Sequence, residues 1–194
     1  MSNFVILNNL PIYDLYKEFN KLLEDKKLSW FIDKNGVEDK SQMCINTVKG
    51  KETDTNFGRG SLVYDWDKVY YDNNGNLAAP KRNITLNEED FTVLCEQFKG
   101  SLFEEVYNEL SKKYLIGRVR IMNTKPKTCL TWHVDDTTRI HYPMKTQDGC
   151  FMVIENEVKF LEQNVWYKTN TLVKHTAFNG SREARMHLVV NVLG

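Results

Sequence analysis

The sequence predicts a mainly β protein with flanking helices, whose core is a small antiparallel sandwich or jelly roll. About eight short strand-like segments with turn residues between them follow residue 115, and such a series is typical of these folds. Two regions with helical patterns precede it. The 194 residues suffice for one domain with a sizeable core, and two domains would be cramped.

The composition and the lengths of the apolar runs argue against two classes of protein, those that bind nucleic acids and those associated with membranes. Lys plus Arg and Asp plus Glu balance at 26 each, whereas nucleic-acid-binding modules usually carry a basic excess, so we expect no nucleic-acid partner. The apolar runs are far shorter than the roughly 20 residues of a membrane helix. The first residues also lack the pattern of a signal peptide. We therefore expect no association with a membrane.

The four cysteines bear on the cellular compartment. Cys44, Cys95, Cys129 and Cys150 are scattered and form no Cys-x-x-Cys pair. A chain of this length does not need disulfide bonds for stability, so reduced thiols in the cytoplasm are the simplest interpretation. Nothing in the sequence indicates an oligomeric state.

Residues 1–115 predict helices and strands that pack on the core within one single domain, residues 1–194. Leu15, Phe19 and Leu22 recur at helical spacing after Pro11, a residue favoured in first turns. Further along, Gly100 separates two helical segments, and Ser101 can cap the second. The predicted strands are 4–7, 28–32 and 43–48, and the predicted helices are 11–26 and the two segments within 88–114.

Residues 49–83 combine turn-forming residues with aromatic ones, and a strand is predicted around residues 61–66. Long loops that carry aromatic residues often face a substrate. Arg59, Tyr64 and Trp66 are therefore candidate substrate contacts. The alternative is that the aromatic side chains of this loop cover the edge of the core.

The predicted β core spans residues 116–194. Its strands are expected at 116–123, 128–134, 140–145, 150–155, 157–161, 165–168, 171–177 and 185–193. All four histidines of the protein lie in this part, namely His133, His141, His175 and His187. Because histidine is the commonest metal ligand and the usual proton carrier, we expect the chemistry to reside here.

The triplet His133-Val134-Asp135 is the first part of a candidate metal site. In a strand, residues two apart point to the same side, so both polar side chains can face the interior. A later predicted strand can bring His175 opposite them. Two histidines and one carboxylate hold one face of a non-haem Fe(II) ion and leave the other positions open. His133, Asp135 and His175 are therefore the candidate catalytic and metal-binding residues.

Arg185 follows His175 on the last predicted strand. A guanidinium binds a carboxylate through two parallel hydrogen bonds, so a buried Arg185 would anchor the far carboxylate of 2-oxoglutarate. Arg139 and His141 form a second same-side pair, suited to the near carboxylate or to an acidic group of the substrate. Two alternatives remain open: a cupin-like metal enzyme that does not use 2-oxoglutarate, and a metal-free jelly-roll binding module.

The sequence resembles a known family at these residues. The matching runs are Arg118-Val119-Arg120-Ile121-Met122, His133-Val134-Asp135, Arg139-Ile140-His141-Tyr142-Pro143, His175 to Ser181 and Arg185-Met186-His187-Leu188. They resemble the aspartyl/asparaginyl β-hydroxylase-like branch of the Fe(II)/2-oxoglutarate oxygenases, which also includes bacterial hydroxylases of free amino acids such as proline. The resemblance covers about residues 116–194.

The resemblance implies a double-stranded β-helix, the cupin-like form of the jelly roll. It also implies Fe(II) on His133, Asp135 and His175, with 2-oxoglutarate on Arg185 and with Arg139 and His141 near the cosubstrate and substrate. The expected reaction uses O2 to hydroxylate an unactivated C–H of an amino acid or an amino-acid side chain, in a small molecule or a peptide, and decarboxylates 2-oxoglutarate to succinate.

One position departs from the family's pattern. Asn164 stands where the family often has glycine before Val165-Trp166. Because asparagine tolerates the left-handed backbone conformation better than most residues, we expect the same turn here.

Overall fold

The structure, a computed structural model, describes residues 2–65 and 68–194. In these residues the chain forms two α-helices, α1 (Leu15–Glu24) and α2 (Leu102–Lys113), and many short strands. The strands are β1 (Phe4–Ile6), β2 (Phe31–Ile32), β3 (Glu38–Asp39), β4 (Gln42–Cys44), β5 (Asn46–Thr47), β6 (Tyr70–Tyr71), β7 (Leu77–Ala78), β8 (Val93–Leu94), β9 (Ile116–Thr124), β10 (Thr128–Cys129), β11 (Thr138–Lys145), β12 (Cys150–Ile154), β13 (Glu157–Lys159), β14 (Tyr167–Thr169), β15 (His175–Asn179) and β16 (Arg185–Val192). Neither helix has the length and apolar character needed to cross a membrane.

Two antiparallel sheets form the body of the protein. The larger sheet has six strands in the order β1-β14-β11-β16-β9-β4, and the smaller has four in the order β10-β15-β12-β13. Side chains from both sheets, among them Tyr167 and Met152, meet in one apolar cluster. This architecture confirms the predicted jelly roll. Strands β1 and β4, from the N-terminal part of the chain, are the two edges of the larger sheet.

Strand β16 separates the apolar core from the polar interior of the roll. It pairs with β11 on one side and β9 on the other, and all eight of its residues are buried. Met186, Leu188 and Val190 belong to the main core, while the alternate residues Arg185 and His187 line a cavity. Alternation along a strand places successive side chains on opposite faces, so one strand serves both compartments.

The two helices cover the outer face of the larger sheet. Helix α1 contacts β11 and α2 contacts β9. The first helix begins later than the predicted residue 11, because Asp14 is its N-cap and accepts a hydrogen bond from the Lys17 backbone N–H. The second helix is confirmed, with Ser101 as its N-cap. Gly100 precedes it with a φ of +73°, a conformation that favours glycine.

The helix predicted before Gly100 is wrong. Residues 88–100 instead form two short 3-10 turns, Glu88–Asp90 and Glu96–Phe98, on either side of strand β8. Strand β8 pairs with β5, and the Cys95 N–H donates to the Ile45 carbonyl at 2.9 Å. The apolar side chains of this segment recur at helical spacing, yet the segment pairs with β5 as a strand. Tertiary contacts here override a short local pattern.

Two of the core strands differ from their predicted bounds by several residues, and the other six differ by at most two residues at either end. The predicted strand 128–134 is regular only over β10, after which an isolated bridge joins His133 to His175. The predicted strand 171–177 begins only at His175, because residues 171–174 form a turn. That turn interrupts the ladder, so the Asp135 N–H donates to the Thr171 carbonyl.

The long loop at 49–83 has less regular structure than predicted around 61–66, where the described residues show one isolated bridge between Tyr64 and Lys81. Trp66 lies outside the described residues. A hairpin of β6 and β7 was not predicted; its turn is closed by Asp72, whose carboxylate accepts backbone hydrogen bonds from Asn74 and Asn76.

Asn164 adopts the left-handed conformation that was expected of it, with a φ of 60°. Its backbone N–H donates to the Pro143 carbonyl at 2.9 Å. The turn before Trp166 is therefore made without glycine.

The fully buried Asn46 supplies the first test of the fold. Its amide donates to the carbonyls of Phe91 and Gly117 and accepts from the Val119 N–H at 2.7 Å. Asn46→Ala should cost about 3 kcal/mol, since it leaves buried backbone groups without partners. Urea unfolding measures this loss. Asn156→Ala in an exposed turn is the control, and an equal effect of both variants would contradict the role given to Asn46.

Candidate active site

His133, Asp135 and His175 converge at one end of the space between the sheets. One ligand atom from each lies within 4.8 Å of those of the other two. The bridge between the histidines fixes their backbones: His133 N–H donates to the His175 carbonyl at 3.1 Å, and the reverse bond is 2.9 Å. Between the two ligands, Val134 is 55% exposed. The three side chains thus form a compact group that can hold one metal ion.

Each histidine of this group is oriented by a backbone carbonyl. His133 Nδ1 lies 2.7 Å from the Thr131 carbonyl oxygen, and His175 Nδ1 lies 2.9 Å from that of Val173. A carbonyl only accepts, so Nδ1 carries the proton in both rings. Nε2 is then the lone-pair nitrogen that can bind a metal, an arrangement common among histidine ligands.

Asp135 is held as a carboxylate. Its Oδ2 accepts a hydrogen bond from Arg139 Nε at 3.1 Å and lies 3.4 Å from His175 Nε2. Burial alone would raise the pKa of Asp135, but the hydrogen bond and positive charge of Arg139 lower it well below its usual range. The residue therefore offers a charged oxygen ligand throughout the physiological pH range.

A cavity of about 1080 Å³ extends from this group between the two sheets. Its wall on the larger sheet carries polar side chains, and its wall on the smaller sheet includes Met152 and Ala177. The cationic and imidazole side chains on this wall are Arg118, Arg120, Arg139, His141, Arg185 and His187. The cavity therefore combines a cationic wall with an apolar one.

Arg185 is buried at the end of the cavity formed by the start of β16. Its residue is 6% exposed, and among the described residues no carboxylate forms an ion pair with it. Nη2 lies 3.1 Å from His187 Nδ1, which must accept because a guanidinium has no lone pair to offer. Burial lowers the pKa of Arg185 to about 10. The group remains charged at neutral pH, and residues 2–65 and 68–194 provide no counterion for it.

His141 and His187 face one another in the same wall, with ring centroids 5.8 Å apart. Burial, helped by the charge of Arg185, lowers the pKa of His141 to about 3 and that of His187 well below its usual value. Both nitrogens of His141 and Nε2 of His187 are buried without a partner among the described residues. These polar atoms without partners and the unpaired charge of Arg185 fit a bound anion. The anion would donate and accept hydrogen bonds itself, or it would be accompanied by water molecules that do so.

Arg139, on β11 of the larger sheet, lies beside the candidate metal-binding group. Besides Asp135, its guanidinium donates to the Thr137 hydroxyl. It lines the cavity but already has a carboxylate partner. The structure thus places Arg139 against the acidic member of the metal-binding group.

The loop residues singled out as substrate contacts are placed elsewhere. Arg59 pairs with Asp39, and its guanidinium carbon lies 4.1 Å from the centre of the Phe31 ring. Tyr64 is 42% exposed. Neither side chain lines the cavity, and Trp66 is not described. Because Asp39 attracts Arg59 toward the β2–β3 hairpin, the loop contributes to the cavity wall instead through the segment from Gly60 to Val63.

Sequence reasoning missed the role of the pair Glu88 and Arg118 in this wall. The Arg118 guanidinium binds the Glu88 carboxylate at 2.7 Å and donates to the Gly58 and Gly60 carbonyls at 2.8 Å. Burial would raise the pKa of Glu88, but the bonds and charge of Arg118 lower it. Gly117 permits the approach, since a Cβ there would lie 2.8 Å from that of Glu88. Arg118 therefore fixes the loop over the cavity.

Arg120 was also missed as a cavity residue. The signal was present in the sequence, because alternate residues of a strand share a face and Arg118-Val119-Arg120 puts two arginines on the inner one. Inward arginines on a strand that also contributes Val119 and Ile121 to the core indicate a polar cavity rather than solvent.

Comparisons with known proteins identify the family to which the chain belongs. A family sequence model described as aspartyl/asparaginyl beta-hydroxylase matches residues 14–193, and therefore includes most of the N-terminal region for which the sequence alone suggested no relative. No curated protein matches the sequence.

Solved structures resemble the fold at low sequence identity. An oxidoreductase of the 2OG-Fe(II) oxygenase family from Burkholderia pseudomallei is 10% identical, with a TM-score of 0.52 over 98% of this chain and 84% of that one. The collagen prolyl hydroxylase of Paramecium bursaria Chlorella virus-1 is 11% identical, with a TM-score of 0.37 over 47% and 68% of the chains. A cupin domain from Bordetella pertussis is 18% identical, with a TM-score of 0.35 over 40% and 81%.

The jelly roll and the family match together define a hydroxylase of the 2-oxoglutarate-dependent oxygenase class. The chain belongs to the aspartyl/asparaginyl β-hydroxylase family.

The buried neutral His141 predicts how stability depends on pH. Its pKa is about 3 in the folded protein against 6.5 for an ordinary histidine, so below pH 6.5 the unfolded chain takes up a proton that the folded protein refuses. His141 should therefore reduce stability by about 1.4 kcal/mol for each pH unit below 6.5. Urea unfolding of the metal-free protein between pH 7 and 5 measures the slope. His141→Gln should take this amount from the slope and leave the share of His187, whose pKa is also lowered, and an unchanged slope would refute the assignment.

Proposed function

We propose that this protein uses Fe(II), O2 and 2-oxoglutarate to hydroxylate an unactivated C–H of an amino acid or of an amino-acid side chain. One observation carries the proposal: a two-histidine, one-carboxylate group shares one cavity with a buried arginine that has no counterion in the described part of the chain. The first is suited to a metal with open positions and the second to a carboxylate.

The proposed metal ligands are His133 Nε2, His175 Nε2 and the Asp135 carboxylate. Carbonyls orient the two rings, and Arg139 holds the carboxylate from its other side. Such partners fix ligand geometry and affect metal affinity. When bound, Fe(II) would supply the activation of O2 that is coupled to decarboxylation of 2-oxoglutarate. One oxygen atom of O2 enters the new hydroxyl group and the other enters succinate.

Arg185 is the proposed anchor for the far carboxylate of 2-oxoglutarate. A dicarboxylate would supply the counterion that the described residues do not provide, and the fork of the guanidinium would fix its orientation. His187 holds Arg185 through the 3.1 Å contact with Nη2. Neutral His141 lies on the same face and can bond to the cosubstrate without adding charge, and Arg139 is near the metal end.

The remaining cavity wall would position the substrate and exclude water. Met152 and Ala177 supply an apolar surface next to His175, which suits a hydrocarbon group presented for C–H cleavage. All four cysteines are free thiols, which supports a reducing compartment such as the cytoplasm.

The two alternatives have less support. A cupin-like enzyme without 2-oxoglutarate has no need of a buried arginine at position 185, which here is 6% exposed. A metal-free binding module predicts scattered histidines, whereas His133 and His175 have ring centroids 4.2 Å apart. Both observations favour the 2-oxoglutarate-dependent hydroxylase.

The metal assignment predicts different effects on metal binding for two buried histidines that line the same cavity. His175→Ala should abolish the binding of one Mn(II) ion per chain, since it removes one of three ligands. His187→Ala should retain the ion, because His187 contacts Arg185 and not the metal-binding group. Titration calorimetry with Mn(II) under anaerobic conditions provides the measurement. Loss of binding in both variants, or in neither, would contradict the ligand set.

Arg185 and Arg182 form a matched pair for the cosubstrate assignment, since Arg182 is exposed and only three residues away. Arg185→Gln should weaken 2-oxoglutarate binding to the Mn(II)-loaded protein by two or more orders of magnitude, taking about 3–5 kcal/mol for a buried charged pair. Arg182→Gln should leave it unchanged. Succinate formation from labelled 2-oxoglutarate with Fe(II) and ascorbate gives a second readout. Equal binding by both variants would exclude the anchor.

A further inference from the structure

A second guanidinium in the cavity wall, that of Arg120, also has no counterion among the residues that the structure describes. We propose that Arg120 binds a carboxylate of the substrate, so that the enzyme selects substrates bearing this group. The proposal rests on the proposed function, because it assumes that 2-oxoglutarate and the metal occupy the rest of the site. It adds a substrate class and the residue that recognises it.

The charges of the cavity wall single out Arg120. Arg118 is paired with Glu88, and Arg139 with Asp135. Arg185 is the proposed anchor of the cosubstrate. Arg120 is the buried cation that remains, since among the described residues no carboxylate forms an ion pair with it, and Lys125, which also lines the cavity, is exposed. The nearby negative charges are thus already engaged by other arginines.

The hydrogen bonds of Arg120 are also incomplete. Its residue is 7% exposed, and Nη1 donates to the side-chain oxygen of Gln42 at 3.2 Å. Nε is buried and has no partner among the described residues. Burial and the neighbouring charges of Arg118 and Arg139 lower the pKa of Arg120 to about 9, so it remains a cation at neutral pH. A carboxylate would satisfy both the charge and the free donors.

The strand register places Arg120 away from the cosubstrate anchor. Arg120 is opposite Val189, whereas Arg185 is opposite Thr124, a separation of four residues or about 13 Å along the sheet. The two carboxylates of 2-oxoglutarate are already assigned, one to Arg185 and one to the metal. Arg120 instead lies in one row with Val189 and His141, in a cavity whose wall also includes the loop residues Gly60 to Val63 and Leu86 to Glu89.

An uncompensated buried charge weakens a folded protein, because its desolvation is not repaid by a partner. Sites that bind charged ligands often carry this cost in the free protein. Arg118 and Arg120 therefore make a matched pair on one strand face: the first has its counterion within the protein, and the second is predicted to obtain it from the substrate.

The test uses the full chain loaded with Mn(II) and the inert analogue N-oxalylglycine. Probes come in matched pairs, a carboxylate and its carboxamide. One arm compares free amino acids with their amides. The other compares end-blocked peptides that contain Asp with those that contain Asn, and peptides with Glu with those with Gln. Calorimetry should show at least one arm in which the carboxylate binds roughly 100-fold more tightly than its amide. The arm that responds identifies the source of the carboxylate.

Arg120→Gln should abolish the preference for the carboxylate, and Arg120→Lys should restore part of it through charge without the planar fork. Both variants should bind N-oxalylglycine within about twofold of the wild type if the two anion positions are separate. Without ligands, Arg120→Gln should melt at or above the wild-type Tm, whereas Arg118→Gln should melt lower because it leaves Glu88 unpaired.

Several results would overturn the proposal. These are equal binding of carboxylates and amides, no binding in either arm, a preference that survives Arg120→Gln, or an Arg120→Gln protein that fails to fold. If Arg120→Gln weakens N-oxalylglycine as Arg185→Gln does, Arg120 contacts the cosubstrate and the inference is wrong. Failure of the wild type to bind Mn(II) and N-oxalylglycine would instead refute the proposed function, so the two failures are distinguishable.

Discussion

The pairing of the last strand, β16, on both of its edges is the constraint on which the rest of the structure depends. With β11 on one side and β9 on the other, every residue of β16 is buried. Its alternate residues must therefore suit opposite environments: Leu188 packs in the core beneath the helices, while Arg185 faces the cavity. A change of register by one residue would place the guanidinium in the apolar core, so the same hydrogen bonds fix both fold and site.

The arrangement of the interior of the roll depends on which of its arginine side chains are paired with a carboxylate. Arg118 finds one in Glu88 and thereby holds the loop at Gly58 and Gly60 over the cavity. Arg139 finds one in Asp135 and so orients a proposed metal ligand. Two further guanidiniums lack such partners among the described residues, at separate positions along the sheet. Under the two proposals made here, the cavity would hold two organic anions at once, as a reaction between a cosubstrate and an anionic substrate requires.

The parts of the structure that the sequence predicted are those with strong periodicity or distinctive chemistry. The alternation of the core strands and the stripe of α2 led to the jelly roll and its helix. His133, Asp135 and His175 could be grouped because each residue type is a typical ligand. The segment 88–100 could not be predicted, since its apolar spacing fits a helix and only contact with β5 makes it a strand. The pairing of Glu88 with Arg118 was equally hidden, because it joins segments that meet only in three dimensions.

The cavity wall is assembled from two kinds of segment. The proposed metal and cosubstrate residues belong to the C-terminal part of the chain, whereas the cavity residues Gln42, Ser61 and Glu88 belong to loops and an edge strand of the N-terminal part. Loops tolerate changes of sequence and length better than paired strands do. Substrate range can therefore diverge by replacing these early segments while the chemistry stays intact, and the N-terminal part is where an engineer would begin to redirect this enzyme.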